Sequence, residues 1–285
     1  MKDRPPPSPA IVVGVDGSRA ALTAALWAVA EAEERDLPLR LLYAIEPRPV
    51  PSADQAARDL AAAEISIREA FMAIEALNLP LKIEVEIVQD SARRALINAS
   101  YSALMLCLGS RGIGQSTGRH YGSVAAVVSR TARCPVAIIA HSHPAESGFI
   151  LAELDDSPDR ANVLEISVAE ALLRHRPLRV LASWRPRFSD VADASNTTAI
   201  NRQARGQLDK QLEWWRRRHP SLDIAAVITP GNMVNYVAQH RDLIELLVVG
   251  QRQAGGNSAG PNTSAHPALS ETTCSLLICG SSRVL

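Results

Sequence analysis

Ala103-Leu-Met-Leu-Cys-Leu-Gly-Ser-Arg-Gly-Ile-Gly-Gln-Ser-Thr-Gly-Arg-His-Tyr-Gly-Ser123 runs directly into Val124-Ala-Ala-Val-Val-Ser-Arg-Thr-Ala132. The first six residues carry no polar side chain, so they read as a strand buried on both faces, as in a parallel sheet. Val124 to Ala132 reads as a helix, and a glycine-rich loop joins the two. α/β proteins hold phosphates with this arrangement. Glycine lets backbone N–H groups approach a ligand, and the helix N-terminus adds partial positive charge. The Ser123 hydroxyl adds a donor. The spacing is Gly109-x2-Gly112-x9-Gly122-Ser123. It has no Gly-Lys-[Ser/Thr] ending, so it is not a Walker A loop, and its glycines are not spaced as in the dinucleotide fingerprint. A long surface loop loosened by glycine is the plain alternative.

Upstream, Ala10-Ile-Val-Val-Gly-Val-Asp16 is a nearly continuous apolar run ending in Asp-Gly-Ser, a buried strand entering a turn. Ser18 is placed to cap a helix from Arg19 to Arg35. Leu39 to Ile45 is a second strand, and three prolines within residues 46–52 end it. An alanine-rich helix from Ala53 to Asn78, a strand from Lys82 to Val88 and a short helix from Ser91 to Ser100 lead to the glycine loop. Pro135 to Ala140 is a fifth strand. Strands alternating with helices predict a doubly wound parallel sheet with right-handed crossovers. Ligands of such sheets bind beyond the carboxyl ends of strands at the switch point, here the tips carrying Asp16 and Gly109.

The second half repeats the first. Ile150-Leu-Ala-Glu-Leu-Asp-Asp-Ser157 follows Ile11-Val-Val-Gly-Val-Asp-Gly-Ser18 by 139 residues, and Leu178-Arg-Val-Leu-Ala follows Leu39-Arg-Leu-Leu-Tyr by the same 139. The expected elements are strands at Leu178–Trp184, Asp223–Ile228, Leu243–Val249 and Ser275–Cys279, with a long helix from Thr197 to His219. The strand Asp223–Ile228 meets Thr229-Pro-Gly231. A domain-scale duplication is the result. It gives a disordered lead at 1–9, one domain at 10–140, a polar linker at 141–148 and a second domain at 149–285. The phosphate loop is not preserved. Gly14 becomes Glu153, Gly112 becomes Gln253, Gly122 becomes Asn262 and Ser123 becomes Thr263, while Gly109 keeps its counterpart in Gly250 and Gly255, Gly256 and Gly260 leave a differently shaped loop. Each change adds a side chain where a ligand would need bare backbone.

Composition limits the function classes. The chain has 285 residues, 47% hydrophobic and 21% charged, with 30 cationic and 30 anionic side chains. Balanced charge argues against nucleic acid as a main partner, and the apolar runs are too short for a membrane span. The N-terminus shows no signal-peptide core. Cys107, Cys134, Cys274 and Cys279 have no metal-ligand spacing, which reads as a reduced, cytoplasmic protein.

The loop, the Val13-Gly-Val-Asp-Gly-Ser18 opening and the duplication together resemble the universal stress protein family, in its tandem two-domain actinobacterial form. The resemblance covers nearly the whole chain. It implies two tandem five-stranded sheets of strand order 3-2-1-4-5, of the adenine nucleotide alpha hydrolase-like kind, related by a pseudo-twofold through their fifth strands. It implies ATP, with or without Mg²⁺, between the ends of strands one and four. Gly14 and Asp16 would flank the nucleoside, the backbone near Ala44 would meet adenine, and Gly109, Ser110, Gly112, Gly122, Ser123 and Val124 would hold ribose and phosphates. Val88-Gln-Asp-Ser91 lacks the Gly and Pro common at that place in the family. The implied role is regulation in stress response or growth control, with an unidentified protein partner. A homo-oligomer or an intramolecular pseudo-dimer fits it, and at most weak ATP hydrolysis is expected. The competing classes are a slow ATPase or phosphotransfer enzyme, and a ligand-free interaction module.

Other residues have ordinary readings. Trp214-Trp-Arg-Arg-Arg-His219 could stack on nucleic acid, but one buried Trp face with cations at a helix C-terminus explains it. Arg119-His120 could touch phosphate or be solvated, with His120 a conceivable general acid. Asp155-Asp156 could bind Mg²⁺, or with Ser157 cap the next helix.

Overall fold

Apolar runs that would be insoluble as free strands become the interior of two sheets. In a computed structural model the described residues are 8–49, 52–112, 122–140, 147–184, 194–230, 233–251 and 274–280. The chain divides into two compact units, the first ending by Ala140 and the second beginning by Ser147 among these residues. The first runs β1 (Ala10–Gly14), α1 (Arg19–Glu34), β2 (Leu39–Ile45), α2 (Ala53–Glu75), β3 (Ile83–Gln89), α3 (Ala92–Ala99), β4 (Ala103–Gly109), α4 (Ser123–Thr131) and β5 (Val136–Ile139). Its strands are ordered β3-β2-β1-β4-β5 and pair in parallel. The second runs β6 (Phe149–Leu154), α5 (Arg160–Leu173), β7 (Leu178–Trp184), α6 (Ala194–Arg218), β8 (Ile224–Pro230), α7 (Met233–His240), β9 (Ile244–Gly250) and β10 (Ser275–Cys279). Its order is β8-β7-β6-β9-β10, again parallel. Both are the doubly wound sheet expected from the alternation of strands and helices, in the 3-2-1-4-5 order that the resemblance implies, with the switch points beside β1 and β6.

Burial follows from position in the sheet. Ile11, Leu41, Leu106 and Ile138 in the first unit, and Ile150, Leu181 and Leu247 in the second, have no accessible surface. The edge strand β3 is only half-buried, and its Val85 is exposed. β8 runs on through Thr229 and Pro230, two residues past the expected strand end at Ile228. β8 ends the sheet order and Pro230 is its last residue, where a missing ladder donor costs least.

The duplication reaches side-chain detail that sequence patterning does not show. Arg40 pairs with Glu84 at 3.0 Å, and 139 residues on Arg179 pairs with Asp223 at 2.9 Å. Ile11 N–H donates to the Pro38 carbonyl at 3.0 Å, and Ile150 to that of Pro177 at 2.9 Å. Glu31 and Glu170 are fully buried. Each meets an arginine one turn later, Arg35 at 2.8 Å and Arg174 at 2.7 Å. The helix then ends in a left-handed residue, Asp36 (φ 50°) or His175 (φ 52°).

The halves part at the first helix. Ser18 caps α1, its Oγ accepting the Ala21 N–H at 3.1 Å. In the second unit Pro158 follows the equivalent Ser157, and α5 starts only at Arg160, with Asp159 at the cap and no side-chain cap bond. Asp155, Asp156 and Ser157 therefore do not cap the helix as expected. Asp155 Oδ1 instead accepts the Ser157 N–H at 3.1 Å and shapes the turn.

Removing the cation from a buried pair strands its carboxylate. Arg174→Ala should cost about 3 kcal/mol. Arg35→Ala should cost less, because Arg35 is 24% exposed against 9% for Arg174 and water replaces part of what it supplies. Chemical denaturation checks this; a larger loss for Arg35→Ala would contradict it.

Candidate functional site

At the carboxyl ends of β1 and β4 lies an open crevice of about 270 Å³. Its size is just under the range usual for small-molecule sites, roughly 300–1,000 Å³. Two turns bound it. After β1, Asp16 Oδ1 accepts the Ser18 N–H at 2.9 Å. Ser18 Oγ, besides capping α1, donates to the Arg111 carbonyl at 3.3 Å and so ties the β1 turn to the loop after β4. At the far end of that loop, Gly122 N–H donates to the Ser110 carbonyl at 2.8 Å, closing its neck.

α4 begins at this neck. Its cap is Gly122, extended (φ −68°, ψ 158°) and with no side chain to bond the first turn. Ala126 N–H is the first to return to the cap, donating to the Gly122 carbonyl at 3.0 Å. The amides of Ser123, Val124 and Ala125 precede it and have no carbonyl in their own helix to reach. All three residues line the crevice. Leu42 on β2, Leu96 on α3 and Leu108 on β4 add an apolar part to the lining. The cleft thus has an apolar part and an N–H-rich end, which suits a flat heterocycle attached to an anion.

Gly14, Asp16, Ala44, Gly109, Gly112, Gly122, Ser123 and Val124 all line this crevice. Ser110 is not among the lining residues. It is buried, and its backbone donates to the Ile139 carbonyl at 2.9 Å and accepts from Gly122, so it braces the loop. Ser18, read from the sequence only as a helix cap, also lines the crevice, as do Tyr43, Ala92 and Arg111, which the sequence did not mark as site residues. Ala92 was reachable in principle, because Ser91 caps α3 at the tip of β3, where Val88-Gln-Asp-Ser91 departs from the family pattern. The Tyr43 phenol is pushed above its ordinary range by burial, then by the nearby Asp16 and Asp59 charges, so it stays protonated at neutral pH. Residues 113–121, with Arg119 and His120, lie outside the described residues.

The glycines serve different ends. A Cβ on Gly109 would sit 2.6 Å from the Ala20 carbonyl carbon and 2.7 Å from the Ala21 nitrogen, so this glycine admits the first turn of α1. At Gly112 a Cβ would meet Asp16 Oδ2 at 2.7 Å, so glycine leaves room for that carboxylate. At Gly14 it would press on the Leu108 and Leu96 side chains of the apolar lining.

The tips of the second unit carry acid instead. Glu153, at the place of Gly14, is 6% exposed, and Asp155 and Asp159 flank the same turn. Burial, and then the charge of Asp155, raises the Asp159 carboxyl above its usual range. A Cβ on Gly250 would make only ordinary contacts, 3.4 Å to Asp159 Cβ and 3.5 Å to Ser157 Oγ. The loop positions Gln253, Asn262 and Thr263 fall outside the described residues.

The remaining candidates are structural. All four cysteines are buried and unbridged, and burial pushes Cys134 up to about 12. Arg216 Nε donates to the Ile224 carbonyl at 2.9 Å and its Nη2 pairs with Asp209 at 2.8 Å, tying α6 to β8. Among the described residues there is no metal-ligating group of three His, Cys, Asp or Glu, and no helix long and apolar enough to cross a membrane.

Comparison with known proteins agrees with this architecture. Residues 9–140 match the sequence model of the Universal stress protein family. A universal stress protein of Mycobacterium tuberculosis is 38% identical over 277 residues, covering 95% of this chain and 96% of its own. A second from the same organism is 36% identical over 271 residues, covering 94% and 95%. The crystal structure of a universal stress protein from Archaeoglobus fulgidus superposes with a TM-score of 0.68 at 18% identity, over 96% of this chain and 98% of that one, which shows the shared fold.

Gly109 and Gly250 occupy equivalent places with different constraints. Gly109→Ala should destabilise the first unit by about 2–3 kcal/mol, because rigid backbone must move. Gly250→Ala should cost under about 0.5 kcal/mol. Calorimetric unfolding of both variants checks this, and equal losses would contradict it.

Proposed function

We propose that this chain, which belongs to the universal stress protein family, binds one ATP in the crevice of its first half and acts as a nucleotide-responsive regulatory protein. The observation that supports it most is the α4 N-terminus. A side-chain-free cap and three residues whose amides have no helical partners line a cleft whose lining is in part apolar. In this reading the phosphates lie at Ser123, Val124 and Ala125, and the adenine lies beside the Ala44 backbone against Leu42. Asp16 accepts hydrogen bonds from the nucleoside, and Gly112 leaves room for its carboxylate. The second half is a poor nucleotide site because Glu153 and Asp159 add negative charge at its strand tips where the first half has Gly14 and Ala20. The described residues of the crevice offer Asp16 as their one carboxylate and no histidine or thiol. A regulatory role therefore fits better than dedicated phosphate chemistry, which needs a positioned water or base.

Titration calorimetry with ATP, with and without Mg²⁺, should give a stoichiometry near one per chain. Gly122→Glu, which places a carboxylate at the phosphates, should weaken binding by about 100-fold or more while leaving stability nearly unchanged. No binding at millimolar ATP would overturn the proposal, and two equal sites would overturn its asymmetry. Phosphate release by the native chain that disappears in Gly122→Glu would favour a slow ATPase.

A further inference from the structure

α2 and α6 are corresponding helices of the two halves, and each is buried along one face. α2 buries Ala63, Ile67, Ala70 and Ile74, and α6 buries Leu208 and Leu212. The opposite faces ought to be uniformly polar on a helix that only covers its own sheet. They are not. On α2, Ile65 is 68% exposed and Met72 is 59% exposed. The two are seven residues apart and so fall on one line, directly opposite the buried stripe at 100° per residue. On α6, Trp214 is 52% exposed, with the Arg218 guanidinium 5.4 Å from its ring centre.

A second feature of α6 points the same way. Gly206 lies in the helix interior on the outward side, and a Cβ added there would meet nothing within 4 Å. A helix-interior glycine costs about 1 kcal/mol relative to alanine. Neither its backbone angles nor any described neighbour requires it. What it provides is a notch on the outward surface, about two turns from the exposed Trp214. Small residues of this kind let another helix approach closely.

The charges of the two helices are complementary. α2 carries Asp54, Asp59, Glu64, Glu69 and Glu75 against Arg58 and Arg68. α6 carries Arg202, Arg205, Lys210, Arg216, Arg217 and Arg218 against Asp209 and Glu213. An acidic helix with an outward apolar line and a basic helix with an outward tryptophan and notch therefore exist in one sequence.

We propose that the outward face of α6 docks on the outward face of α2 of a second copy of this chain. Ile65 and Met72 pack against Trp214 and into the notch at Gly206, and the glutamates of α2 face Lys210, Arg217 and Arg218. Electrostatics orients the encounter and the apolar side chains supply the buried centre. This surface is separate from the crevice, and its test does not depend on nucleotide.

Sedimentation velocity on the full chain tests it. The native chain should self-associate, with affinity falling about tenfold between about 0.05 and about 0.5 M NaCl. Met72→Glu and Trp214→Glu should each abolish association while circular dichroism and melting stay native, since both side chains are exposed. Gly206→Leu should raise helix stability yet weaken association about tenfold by filling the notch. An equimolar mixture of Met72→Glu and Trp214→Glu should regain association, because one variant keeps an intact α6 face and the other an intact α2 face. A native chain that is monomeric at high micromolar concentration would overturn the proposal. So would association indifferent to all three substitutions, or failure of the mixture to associate.

Discussion

The architecture of the crevice depends on the contact between Gly109 and the first turn of α1. Backbone meets backbone there at distances that exclude even a methyl group. That approach sets how near the β1 turn comes to the loop after β4, and the Ser18 hydroxyl then joins the two by bonding the Arg111 carbonyl. With these two turns locked, Asp16 is held beside Gly112, and the first turn of α4 lines the same crevice as the apolar Leu42, Leu96 and Leu108. Gly109 is thus required by packing whatever the crevice holds, and Gly122 is a helix cap without a side chain.

The two halves share one skeleton and diverge in electrostatics. The Glu31–Arg35 and Glu170–Arg174 pairs, the Arg40–Glu84 and Arg179–Asp223 pairs and the proline-carbonyl turns recur at a spacing of 139 residues. These are the parts that hold sheet and helices together, and they are retained whatever the site does. At the tips, a glycine is replaced by the buried Glu153, and Pro158 delays α5 so that Asp159 stands where the first turn of α1 would run. Burial and neighbouring acid already raise the Asp159 carboxyl. A further anion there would meet like charge in a poorly solvated place. On the proposed reading, duplication followed by loss of one site leaves a scaffold that is symmetric in detail and a crevice that is not.

Much of this was legible in the sequence because parallel strands buried on both faces leave continuous apolar runs, and β2 and β7 match the expected spans residue for residue. Eight of the nine expected site residues line one crevice because they cluster at strand tips, which the topology brings together. Ser110 stands outside that lining, and hydroxyl chemistry does not reveal that its backbone bonds brace the loop. Tyr43, Ala92 and Leu96 were missed because they reach the crevice from β2 and α3 through packing rather than through a motif. The cap of α5 was misread because Asp-Asp-Ser followed by Pro has two ways to satisfy its backbone, and the turn won over the cap. The buried glutamates gave no signal, since Glu followed four residues later by Arg reads equally well as a solvated pair.

The most direct measurement is a crystal structure of the full chain with a non-hydrolysable ATP analogue. The account predicts one nucleotide per chain in the first half. Phosphate oxygens should lie within about 3 Å of at least one amide among Ser123, Val124 and Ala125, with the base against Leu42 and Ala44. A nucleotide at the tips of β6 and β9, or one whose phosphates lie away from α4, would contradict it.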